Sequence, residues 1–260
     1  MQTFVLCYNI IVEVIELIIK KFSKMKNGMY KLKLEDDSDV IVHEEYILKN
    51  ELLIMKKIDD EDVKNIDKIN NNYNAYDLAI KYISVKYRSF YEVHEYLLNK
   101  DVDKVVIHEV IEKLKNQNYL DDSVFARAFV NDRIKFSNNG PYKIRRELED
   151  RRVSNSIIDD VLSIFDYSLE KEKLDRLVPK YVKTIRNKSC NMMKNKVCEY
   201  FSNLGYSKRL ILDILSNVDY DDSSAREKEY NKLYNKLSKK YSGLELDFKI
   251  KQSLYRNGYK

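Results

Sequence analysis

LLNKDVDKVVIHEVIEKL (residues 97–114), LEDRRVSNSIIDDVLSIF (148–165) and FSNLGYSKRLILDILSNV (201–218) are three versions of one pattern, and LYRNGYK (254–260) begins a fourth. The opening residues Leu97, Leu148, Phe201 and Leu254 stand 51, 53 and 53 positions apart. Five positions further on come Val102, Val153, Tyr206 and Tyr259. Ile107, Ile158 and Ile211 follow at ten positions, and Leu114, Phe165 and Val218 at seventeen. A period of this length is the signature of stacked repeat units. Each unit buries an apolar face against its neighbour, so the sequence predicts an elongated array with a long surface.

Working outward, the chain reads as a small N-terminal part followed by that array. Residues 1–13 fit no element and are read as an extension outside the pattern. Residues 14–72 are predicted to form a small antiparallel sheet with two short helices. Val14 to Phe22 is β-rich, Asn27-Gly28 is a hairpin signal, and Tyr30, Leu32 and Leu34 alternate with Lys31, Lys33 and Glu35 as in a half-buried strand. Val40 to Val42 completes three strands, and helices are expected near 44–53 and 59–69. Asn70, Asn71 and Asn72 mark a break. Three-helix repeats are then assigned to 73–118, 119–166 and 167–219, with a partial repeat over 220–260.

Capping signals punctuate these helices. Ser89 with Glu92 forms a capping box, Asp103, Ser154 and Ser207 are N-caps, and Pro141 stands at a favoured first position after Asn138-Asn139-Gly140. Two prolines and five glycines in 260 residues favour helix. The fold class expected is mainly α: tandem three-helix repeats in an elongated curved array, preceded by a small antiparallel sheet.

The composition excludes several functions. Three cysteines (Cys7, Cys190, Cys198) imply no disulfide framework and point to a reducing cytoplasm. Cys190 and Cys198 have no histidine at ligand spacing, so no metal or cofactor is expected. The apolar run from Ile10 to Ile19 is interrupted by Glu13 and Glu16; it is too short and charged to span a bilayer and reads as a strand. There is no phosphate-cradling glycine loop, paired-histidine motif or nucleophile elbow. Asp121-Asp122 precedes an apolar helix and reads as a cap, while His43, His94 and His108 are scattered and read as packing or surface residues. Most tyrosines, Tyr82 and Tyr96 among them, fall at helical core spacing. No enzyme is expected.

Charge is the remaining signal. The formal net charge is only +5, but its distribution is uneven. Acidic residues crowd into Glu35–Asp39 and Asp59–Asp62, whereas Arg176 to Lys196 holds seven basic residues and no acidic ones. Lys143, Arg145, Arg146, Arg151 and Arg152 form a second cluster that a core cannot absorb. Two readings stay open: a solvated face paired locally with Glu147, Glu149 and Asp150, or a contact patch for phosphates or an acidic partner. Arg88, just before the Ser89 cap, is a similar case.

Several stretches resemble the RecX family of regulatory proteins, Gram-positive type. They are AIKYISVKYRSFYEVHE (79–95), YLDDSVFARAFV (119–130), GPYKIRRELEDRR (140–152) and Ile157 to Leu162. The ending, with LSKKY (237–241), Gly243 and KIKQSLYRNGY (249–259), is similar to that family's C-terminal repeat. The likeness runs from about residue 14 to the end and is strongest over 75–165. It departs where the family often has a glycine after the second helix: Asn99-Lys100-Asp101-Val102 and Arg151-Arg152-Val153 lack one.

The resemblance implies a curved array of three-helix repeats. It also implies a cytoplasmic, non-enzymatic regulator of DNA repair, recombination and the SOS response that binds RecA recombinase along the groove of its single-stranded-DNA filament. Family members mainly inhibit RecA's ATPase, strand-exchange and coprotease activities. Charge placement, rather than any family site, nominates Arg88, Arg133, Lys143, Arg145, Arg146, Arg151 and Arg152 as the contact face of a monomer, with at most weak direct DNA contact and no membrane. The alternatives are a direct DNA-binding helical regulator and a helical scaffold for another protein.

Overall fold

The computed structural model describes residues 16–26, 28–54 and 56–259. It is mainly helical, with thirteen helices and one four-stranded antiparallel sheet among the described residues. The chain divides into two compact units between Asp121 and Asp122.

The first unit opens with β1 (Glu16–Lys24), β2 (Met29–Leu34) and β3 (Asp39–His43). Leu32, Leu34, Val40 and Val42 are buried while the residues between them face water, as period-two alternation requires. Gly28, at φ +72°, lies in the expected turn between β1 and β2; Asn27 and residues 1–13 lie outside the described residues. α1 (Glu44–Lys49) follows, and then a strand the sequence reading missed, β4 (Lys57–Asp59). It pairs antiparallel with β1, giving the order β3-β2-β1-β4. Three residues are too few for a periodic signal.

After α2 (Asp60–Lys64), α3 runs unbroken from Ile66 to Ile83. The break expected at Asn70–Asn72 is absent. Asn70 is buried, and its side chain accepts from His43 N–H at 2.9 Å and donates to the Ile41 carbonyl at 2.8 Å. Those bonds to β3 outweigh asparagine's modest reluctance to be helical. His43 is buried, accepts from Glu45 N–H as the N-cap of α1, and stacks on Tyr73. α4 (Phe90–Leu98) and α5 (Lys104–Asn116) complete the unit. The Ser89–Glu92 capping box and the Asp103 cap both form. Ala75, Ala79, Val93, Leu97, Ile107, Val110 and Leu114 make the core of these three helices.

The second unit contains α6 (Asp122–Phe136), α7 (Pro141–Glu149), α8 (Asn155–Leu162), α9 (Tyr167–Val182), α10 (Cys190–Asn203) and α11 (Lys208–Ser216). One continuous core, including Phe125, Val130, Ile144, Leu148, Ile158, Leu174, Val197, Phe201 and Ile211, serves all six. α12 (Ser223–Leu237) and α13 (Gly243–Arg256) close on a smaller cluster of Ala225, Leu246, Ile250, Leu254 and Tyr259. The periodic residues quoted first therefore face inward: Leu97, Leu148, Phe201 and Leu254 are all buried.

Candidate protein-binding surface

The helix α7, PYKIRRELE, decides which of its cations face outward. Gly140 is its N-cap and Pro141 its first residue. Ile144 and Leu148, one turn apart, point into the core and are fully buried. Tyr142 and Arg146 are consequently exposed and Lys143 is half-buried. Arg146 and Lys143 form no ion pair among the described residues. Phe136, at the end of α6, is 84% exposed, and Tyr142 is 62% exposed. The α6–α7 corner thus presents two large rings and two available cations to solvent.

The other nominated residues make contacts within the chain. Arg133 donates through Nε to Glu147 Oε2 at 2.7 Å, and Arg151 donates to the Glu147 carbonyl. Both guanidiniums lie on the Phe129 ring, at 4.6 and 4.9 Å from its centre. Glu147 also accepts from Asn139 at 3.0 Å, so one carboxylate gathers the corner. Arg145 is paired with Asp159 on α8. Arg152 is exposed at φ +58° in the turn after α7. Arg88 belongs to the first unit: its guanidinium sits 3.9 Å over Tyr82, 4.0 Å from a Glu92 oxygen, with a side chain only 15% exposed. Among the seven, Lys143 and Arg146 have no ion pair among the described residues, Arg152 is exposed in its turn, and Arg88, Arg133, Arg145 and Arg151 hold the partners just given.

Lys173 was not legible as part of this site. It is 6% exposed, and its ammonium donates to the carbonyls of Ile134 and Ser137 at 2.8 and 3.1 Å. It thereby closes the carbonyl end of α6 just before the exposed corner. Burial, with Arg176 adding like charge, lowers its pKa. In the sequence it is one more lysine on a charged helix. A second unforeseen pair joins Arg127 to Asp160 at 3.3 Å.

Among the described residues no three His, Cys, Asp or Glu side chains converge as a metal site, and no helix is long and apolar enough to cross a membrane.

Comparison with known proteins gives this surface its setting. Residues 75–114 match the first three-helix domain of RecX, and residues 121–162 match the second. The regulatory protein RecX of Oceanobacillus iheyensis is 30% identical over 226 residues, covering 84% of this chain and 82% of the relative. That of Streptococcus pneumoniae serotype 19F is 30% identical over 247 residues, covering 93% and 94%. A crystal structure of regulatory protein RecX shares the fold with a TM-score of 0.68 at 23% identity, covering 77% of this chain and all of that one. RecX from Lactobacillus salivarius gives 0.53 at 26% identity, covering 57% and 97%. With both three-helix domains matched, and relatives aligned over most of the chain, this protein belongs to the RecX family of regulatory proteins.

Proposed function

We propose that this chain binds the RecA recombinase and its single-stranded-DNA filament in the cytoplasm, as a monomer and without catalysis, and mainly inhibits RecA's ATPase, strand-exchange and coprotease activities. The observation that carries the reading is membership of the RecX family over most of the chain. The α6–α7 corner supports it by chemistry: exposed rings beside cations without ion pairs suit an acidic protein surface or the phosphates of a bound strand. Within the nominated set, docking is assigned to Lys143 and Arg146, with Arg152 beside them. Arg88, Arg133, Arg145 and Arg151 hold the repeats in shape.

The test is single-stranded-DNA-dependent ATP hydrolysis by the cognate RecA, titrated with this protein. Inhibition at substoichiometric ratios is expected. A Lys143→Glu/Arg146→Glu double variant should need at least tenfold more protein for the same inhibition, with unchanged thermal unfolding. Full inhibition by that variant removes the docking assignment. No effect on RecA, together with steeply salt-dependent binding to duplex DNA alone, replaces the proposal with a direct DNA-binding regulator.

A further inference from the structure

The sheet of the first unit has an unfinished edge. β1 is nine residues long, yet β4 pairs only with Glu16, Leu17 and Ile18. The next bond on that side runs from Ile19 N–H to the Lys56 carbonyl at 2.9 Å. Further along, β1 is paired with β2 from Lys21 to Lys24, and Met25 N–H turns to the Met29 carbonyl at 2.8 Å. Antiparallel alternation then directs the backbone groups of Phe22 and Lys24 away from β2. Among the described residues nothing bonds to them there. An open edge of this kind is a template for another strand.

An apolar groove lies alongside. Phe22, Tyr30 and Ile47 form part of its wall, with Leu48, Leu53 and Ile54, around about 320 Å³. Leu48, Leu53 and Ile54 are 69, 64 and 61% exposed. Three large aliphatic side chains left in water around a groove mark a surface with a partner. The neighbouring charge identifies that partner. Lys20, Lys21 and Lys24 stand on β1 and Lys26 in its turn, while Glu44 is the groove's one carboxylate among the described residues. A second copy of the chain would set lysines against lysines, so edge-to-edge pairing of two copies is disfavoured.

We propose that this edge accepts an extended segment of a partner protein, apolar at alternate positions and acidic between them, as an added strand. Its backbone pairs with Phe22 and Lys24, its apolar side chains enter the groove on the Phe22 face, and its carboxylates meet Lys21 on the opposite face, with Lys20 beside it. This is strand addition, in which the main chain supplies affinity and side-chain pockets supply selectivity. It does not depend on RecA being the partner of the α6–α7 corner.

The test uses the full chain and two fluorescein-labelled ten-residue peptides, one alternating Glu with Val and one alternating Lys with Val. The acidic peptide should bind, measured by anisotropy, and slow the hydrogen exchange of the Phe22 and Lys24 amides. Leu48→Glu, at an exposed position, should weaken binding at least tenfold without moving the melting temperature. Lys24→Pro, which removes an outward N–H, should weaken it comparably. No binding of the acidic peptide, equal binding of both peptides, or binding unchanged in both variants overturns the proposal. Self-association of the chain that Leu48→Glu abolishes also overturns it, in favour of a second copy.

Discussion

The backbone N–H of Gly140 donates to the carbonyl of Leu204 at 2.6 Å, and Tyr142 N–H donates to the Gly205 carbonyl at 3.1 Å. Two repeats are thus joined main chain to main chain, the start of α7 against the turn that ends α10. The contact leaves no space for side chains. A Cβ on Gly205 would lie 2.3 Å from Lys143 N, and one on Gly140 would lie 2.5 Å from the Gly205 oxygen. Gly205 also sits at φ +88°. Gly205→Ala should therefore cost about 3 kcal/mol, combining left-handed strain with backbone overlap. Gly243, at φ +59° with nothing within 4 Å, is the control; alanine there should cost only about 1 kcal/mol. Thermal unfolding of the two variants checks this, and equal losses would refute the packing argument.

The turn that carries Gly205 recurs. Asp101, Arg152, Gly205 and Gly258 follow the second helices of successive repeats, at φ 58, 58, 88 and 84°. In each, the next residue's N–H returns to the buried residue that opens the period: Val102 to Leu97, Val153 to Leu148, Tyr206 to Phe201 and Tyr259 to Leu254. The 51–53-residue spacing was legible because it records buried positions. The turn geometry was hidden, because the first two copies lack glycine and hold the left-handed conformation regardless. Asp101 is exposed. Asp101→Gly should therefore stabilise the first unit by about 0.5–1 kcal/mol, measured by urea unfolding; a loss of stability would mean the aspartate is preferred there.

Charge placement in the sequence nominated the cations around the α6–α7 corner but could not divide them. Which of them are free depends on where Glu147 and Asp159 lie, and only packing determines that. Arg133→Ala removes the 2.7 Å bond to Glu147 and the contact with Phe129, and should destabilise the second unit by about 1–2 kcal/mol. Lys173→Met leaves the carbonyls of Ile134 and Ser137 without their donor, and should cost about 2 kcal/mol or more. Calorimetric melting reads both. If Arg133→Ala melts like the parent while losing RecA inhibition, Arg133 belongs to the docking surface and its assignment to the fold is wrong.

Tyr206 tests the same core through pH. It is 3% exposed, and its hydroxyl has no hydrogen-bond partner among the described residues. Burial, reinforced by Glu170 and opposed by Arg176, pushes its pKa from 10.0 up to about 12. In the fold the phenol keeps a proton that the unfolded chain surrenders near pH 10. Its contribution is therefore complete below pH 10 and is lost as pH rises through about 12. A shift of that size corresponds to about 2–3 kcal/mol. Tyr206→Phe cannot ionise, so parent and variant should diverge by about that amount between pH 10 and 12. At pH 7 the variant should match the parent or gain about 1 kcal/mol, because it no longer buries an unpaired hydroxyl. Other tyrosines with raised values, such as Tyr73 and Tyr220, titrate in both proteins and cancel in the difference. Denaturant unfolding at stepped alkaline pH is the measurement, and parallel curves above pH 10 would show that the Tyr206 hydroxyl reaches water or a partner in the folded protein.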